Sequence, residues 1–205
     1  MYKYFLFFLP SVLLPFCMAV AQNGWELKKD KDSIRVFTRT SETSKFNELK
    51  VEFSLRGSYG QLRAILEDVE NYKSWVYATK TSNLVEKKGT GDLIYYSEIA
   101  APWPISNRDF YSNTRIWIDS SQGALHITSR NVSDSYPHIG HIVRIPYLKA
   151  DWSVSVLSPG WLRIEYTLGW NPGGSIPAWV ANMFSTNGPF QSFSQLKKKM
   201  AELNP

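Results

Sequence analysis

The chain has 205 residues, a formal net charge of +5, and a composition that is 43% hydrophobic and 15% aromatic. Its one cysteine, Cys17, lies in an N-terminal apolar run, so the chain beyond that run has neither disulfides nor a thiolate metal site. The positive charge is mild and spread out, with Lys197-Lys198-Lys199 the one dense cluster; a nucleic-acid partner, which wants a strong clustered footprint, is excluded.

Lys3 is the only charge before Glu26, and Tyr4 to Val20 is uncharged and mostly apolar. Ala19-Val20-Ala21 before Gln22 is a small-x-small cleavage signature, so residues 1–21 read as a secretory signal peptide and 22–205 as one exported domain, periplasmic or extracellular. Two alternatives stay open. The apolar run sits at the short limit of a membrane span of ~17–25 residues, although Pro10 and Pro15 oppose one. Cys17 suggests lipoprotein processing, but bulky Phe16 precedes it. Without Lys3 the net charge falls to +4, enough for a weak attraction to anionic membrane surfaces.

Short strands are expected at Trp25–Lys29 and Ile34–Thr40, around the turn-like Asp30-Lys31-Asp32-Ser33. Lys45–Arg56 is a longer strand, with Val51, Phe53 and Leu55 on one face and Lys50, Glu52 and Arg56 on the other. Ser58 can cap a helix carrying Leu62, Ile65, Leu66 and Val69, followed by a short helix over Asn71–Val76. Further strands follow at Tyr77–Lys87, Thr90–Ile99, Asp109–Asp119, Ala124–Arg130, Ile139–Ala150, Asp151–Leu157 and Trp161–Asn171. In the last of these Leu162, Ile164, Tyr166, Leu168 and Trp170 alternate with Trp161, Arg163, Glu165, Thr167 and Gly169. A helix begins near Ser175-Ile176, carries Trp179, Val180, Met183 and Phe184, is interrupted at Asn187-Gly188-Pro189, and continues with Phe193, Leu196, Met200 and Leu203. About nine antiparallel strands and one long closing helix predict an α+β helix-grip architecture, a curved sheet holding the helix with an apolar, aromatic-lined space between.

Little here points to catalysis. His126, His138 and His141 are the only histidines; His138 and His141 are three apart, which is not an established metal spacing. There is no G-x-S-x-G elbow and no phosphate-cradling glycine loop. No cofactor and no metal are expected.

Two stretches stand out. Pro102-Trp103-Pro104-Ile105-Ser106-Asn107-Arg108-Asp109-Phe110 is a proline-stiffened loop in which no regular ladder can form. Its tryptophan either folds back into the core or acts at the surface. The second is Asn171-Pro172-Gly173-Gly174-Ser175-Ile176-Pro177-Ala178-Trp179-Val180-Ala181-Asn182. In both, and in their order and spacing, the chain resembles the START family of lipid-transfer domains, the second motif being most similar to the phosphatidylcholine-transfer branch. The resemblance implies a hydrophobic tunnel holding one lipid between sheet and C-terminal helix, gated by the 100–108 loop, in a monomer that meets membranes transiently.

It also implies ligand-binding candidates: Glu98, Trp103, Arg108, Arg144, Tyr166, Trp179 and Met183. Glu98 matches the acid of the family's buried acid–arginine pair, but the arginine position is Thr114, and neighbouring Arg115 belongs to the opposite face unless a bulge intervenes. Arg144 is then a candidate partner for Glu98. Arg108 and Asp109 are expected to fix the gate loop by hydrogen bonds. The competing reading is a helix-grip enzyme using Glu98, Arg144 or His141 as acid–base groups on a hydrophobic substrate. It requires a shielded polar cluster in the cavity.

Overall fold

The structure, a computed structural model, describes residues 24–41, 44–176, 180 and 183–203. The expected signal segment and Trp179 lie outside the described residues, as does the side chain of Met183.

Period-2 alternation builds the sheet. In β3 (Glu48–Arg56) Leu49, Val51, Phe53 and Leu55 are buried while the residues between them reach solvent. β2 (Ile34–Arg39) buries Ile34, Val36 and Thr38, and β1 (Glu26–Lys31) pairs with it as an exposed edge. β4 (Thr79–Gly89), β5 (Asp92–Ile99), β6 (Arg108–Asp119) and β7 (Ala124–Asn131) follow as an antiparallel meander, and β9 (Tyr147–Ser158) and β10 (Trp161–Asn171) complete the path. The order is β1-β2-β3-β10-β9-β7-β6-β5-β4. The expected helix-grip sheet is therefore present. A two-residue β8 (Val143–Arg144) adds a parallel pairing with β6, matching Arg108 to Val143 and Asp109 to Arg144.

The chain between residues 139 and 157 departs from expectation. The strand read over Ile139–Ala150 is cut by Pro146, which has no N–H to give a ladder. The division read between Ala150 and Asp151 is absent. β9 runs straight through it, with Asp151 on the wet face, where Arg130 Nη2 donates to it at 2.5 Å. The short helix after α1 (Tyr59–Glu67) is 3₁₀, over Val69–Ser74.

Ser58 starts α1 as a capping box. Its hydroxyl accepts from Gln61 N at 3.3 Å, and the Gln61 amide oxygen accepts from Ser58 N at 2.9 Å. Leu62, Ile65 and Leu66 seat the helix on the core. The closing helix α2 (Gly188–Glu202) has Pro189 in its first turn and is entered through a π-helical turn, Met183–Asn187, so the expected interruption takes that form. Phe193, Leu196 and Met200 are buried; Leu203 is exposed because the helix ends one residue before it. The Phe193 ring wedges among Phe53, Trp152 and Tyr166, with centroids at 4.8, 5.3 and 5.1 Å. That wedge makes the sheet grip the helix.

Candidate functional site

Where the sheet curves away from α2 it leaves a cavity of about 200 Å³. Register assigns its walls. Tyr95, Ser97 and Ile99 from β5 pair with Ser112, Phe110 and Arg108 of β6; Thr114 pairs with Ser129, Ser129 with Ala150, and Ile127 with Trp152. Tyr166 and Leu168 continue the wall on β10, Trp75 and Val76 close one side, and Phe184, Pro189 and Phe193 form the lid. The wall is almost wholly aliphatic and aromatic, with hydroxyls as its polar side chains, and among the described residues no charged side chain lines it. Burial pushes the Tyr95 and Tyr166 phenols well above their ordinary range, so both stay neutral. The indole N–H of Trp75 is buried without a partner. Ordinary ligand pockets hold ~300–1,000 Å³, so a two-chain lipid enters only if the lid gives way.

Of the sequence candidates, Tyr166 is on this wall. Glu98 is not: its neighbours Ser97 and Ile99 face the cavity, and strand alternation sends Glu98 to the other side of the sheet. There its Oε1 accepts from Lys80 Nζ at 2.9 Å and from Asn107 Nδ2 at 2.6 Å. Arg144 is on that outer side too, and its partner is Asp109 rather than Glu98: Nε to Oδ1 is 2.7 Å and Nη2 to Oδ2 is 3.2 Å. The same guanidinium donates to the carbonyls of Ser133, Tyr136 and Pro137. It lies over the Tyr111 ring, which stacks on Tyr136 at 4.1 Å. Hydrogen bonds and the charge of Asp109 raise the pKa of Arg144. His141 is not on the cavity wall either. The polar cluster that an acid–base reading needs is thus split from the cavity by the sheet.

Trp103 does not fold back into the core. It is 90% exposed at the tip of the loop, before a cis peptide bond to Pro104. The loop is fixed at its base. Ala101 N donates to Asn107 Oδ1 at 3.1 Å, and Asn107 in turn reaches Glu98. Arg108 donates from Nη1 to the Ser106 carbonyl, as expected of a loop anchor, but its side chain is on the cavity face. At Thr114, where the resemblance places an arginine, the hydroxyl pairs with Ser129 at 2.7 Å. β6 has no bulge there, so Arg115 points outward to Asp92 at 3.3 Å. The Gly173-Gly174 turn sits close by in left-handed conformation, φ +69° and +61°. A Cβ on Gly173 would come within 2.8 Å of the Arg144 carbonyl oxygen, so glycine is required.

Burial alone would raise the Glu98 carboxyl, but the hydrogen bonds from Lys80 and Asn107 and the Lys80 charge outweigh it and hold the group below its ordinary value. A depressed carboxylate contributes stability that is present above the unfolded value of ~4.3 and lost as pH falls through the lower folded one. Hydrogen exchange at the Ala101 amide should therefore stay protected from pH 8 to about 5 and lose protection below about 4. Loss of protection already at neutral pH would contradict Glu98 as the loop's anchor.

An antiparallel sheet packed on one helix thus frames a largely apolar cavity with no charged side chain among the described lining residues. The START domain model matches residues 17–204, and the chain belongs to that family of lipid-binding and lipid-transfer domains. Among its relatives, protein PA1579 of Pseudomonas aeruginosa is 26% identical over 203 residues, covering 91% of this chain and 94% of the relative. Phosphatidylcholine transfer protein of Rattus norvegicus is 26% identical over 174 residues, covering 83% and 80%. Among solved structures, a STAR-related lipid transfer protein fragment from Xanthomonas axonopodis superposes with a TM-score of 0.79 at 29% identity, covering 87% of this chain and 99% of that one.

The pair that sequence reasoning missed is Asp109–Arg144, whose members lie 35 residues apart. The inward face of Arg108 was readable by counting back two positions from the apolar Phe110.

Proposed function

We propose that this protein holds one lipid or similar hydrophobic molecule in the cavity between sheet and α2, without catalysis, and exchanges it with a membrane. The observation that carries this reading is the apolar, largely aromatic wall with no charged side chain among the described residues. It can desolvate an acyl chain at roughly 25 cal/mol per Å² and offers no group to activate water. Exchange proceeds by parting of the 100–108 loop from the C-terminal helix. The 90% exposure of Trp103 supports a role for that loop tip at the membrane surface, since an indole partitions to the interface. The protein acts as a monomer after export, in the periplasm or outside the cell, a placement supported by the apolar segment before Ala21. The match to a phosphatidylcholine transfer protein supports a glycerophospholipid as one class to try.

Native mass spectrometry of protein purified from its own host should show one bound lipid per chain. Ala150 is a small, buried wall residue. Ala150→Trp fills the cavity, and should abolish both the co-purified lipid and uptake from labelled vesicles at a stability cost of about 1–3 kcal/mol. Wild-type protein with no bound lipid and no uptake would sink the reading.

A further inference from the structure

Arg108 is buried, 4% exposed, at the inner end of β6. It faces the same side of the sheet as Phe110 and Thr114, two residues before Phe110 on the strand; it is not itself a wall residue, but its cross-strand neighbour Ile99 is. A guanidinium carries five donors. Here Nη1 bonds the Ser106 carbonyl, Nε is buried without a partner, and among the described residues no carboxylate pairs with it. The two carboxylates near it in the sequence face the opposite side and are already engaged, Asp109 by Arg144 and Glu98 by Lys80 and Asn107. Nη2 lies beside Gly174, where even a Cβ would stay 3.9 Å away. Desolvation lowers its pKa, the sign of a cation that lacks its counter-charge.

A buried, unpaired cation is costly, and an arriving anion offsets that cost while satisfying its free donors. The cavity wall itself offers no charge, so a charged head cannot be held among its aromatic rings. We infer that Arg108 is the head-group site: it receives the anionic group, phosphate or carboxylate, of an amphiphile whose chain fills the cavity. This rests on the reading of the cavity as a lipid site and names the class of lipid. Planar N–H forks take such oxygens in pairs. Nη1 stays on the Ser106 carbonyl while the remaining N–H groups take the head group.

The test compares three ligands with the same C16 acyl chain: 1-palmitoyl lysophosphatidate, palmitate and uncharged 1-palmitoylglycerol. Their affinities are measured by competition against a fluorescent lipid, with inorganic phosphate as a fourth arm. Wild type should bind at least one anionic ligand about tenfold or more tighter than palmitoylglycerol. Arg108→Gln should cut the affinity for the anionic ligand about tenfold or more and that for palmitoylglycerol far less, so that the preference disappears; Arg108→Lys should retain part of it. Inorganic phosphate should compete weakly, since it lacks the chain. The wild-type comparison needs no variant, so a misfolded substitution does not shield the assignment. Equal wild-type affinity for charged and uncharged ligands overturns the role of Arg108 and leaves the cavity reading standing. So does displacement by inorganic phosphate as effective as by lysophosphatidate. Failure to bind any of the three amphiphiles overturns both.

Discussion

Arg144→Met should lower the free energy of unfolding by about 3–5 kcal/mol, because it leaves a buried carboxylate without its cation. Asp109 is 1% exposed and the Arg144 side chain 7%. Urea titration reads the loss directly. The double variant Arg144→Met with Asp109→Leu should recover much of it, since replacing both charges by apolar groups removes the stranded charge. Recovery should stay incomplete. The carbonyl of buried Ser133 also loses its donor, and a buried acceptor left unpaired costs ~1–3 kcal/mol; those of Tyr136 and Pro137 are less buried and can turn to water. A single variant as stable as wild type would show that this cluster does not hold the 131–145 segment against β6.

Phe193→Ala should be comparably severe, about 3–5 kcal/mol. It deletes the ring that sits among Phe53, Trp152 and Tyr166 and enlarges the cavity that the same ring lines. Those two consequences separate in a thermal melt. The empty variant should melt well below wild type, while a saturating single-chain lipid should raise its transition more than it raises that of wild type. Ligand at a hundred times Kd adds ~2.7 kcal/mol of stability, and at one fixed lipid concentration the protein with the lower Kd gains more. Equal shifts for both proteins would mean that the lipid does not occupy the space beside Phe193.

The sheet was legible where its strands bury one face only, as β2, β3 and β10 do. The alternation of Leu162, Ile164, Tyr166 and Leu168 against Trp161, Arg163 and Glu165 is what one-sided burial requires, and the structure buries or half-buries the first set. Ser58 and Pro189 marked helix starts for reasons internal to a few residues. The polar residues were harder to place. Glu98 was taken as a cavity candidate because it matches the acid of the family's buried acid–arginine pair, but the facing of a strand residue is decided by parity against its neighbours, and Ser97 and Ile99 hold the inward positions. Arg144 could not be matched to Asp109 because the β6–β8 pairing that aligns them is a two-residue parallel bridge with no alternation pattern of its own. Arg108 carried two signals, loop anchor and inward strand position; only the pairing with Ile99 shows that both hold.

The hydroxyl pair of Thr114 and Ser129 has a bearing on the working cycle. An ionic pair at that wall would sit desolvated in a vacant chamber and reward whatever cargo relieved it. Two hydroxyls at 2.7 Å share one hydrogen bond and bring no charge to desolvate, while the acceptor's own O–H stays available to a polar group entering the cavity. At that point the wall carries no charge that only a bound molecule could neutralise.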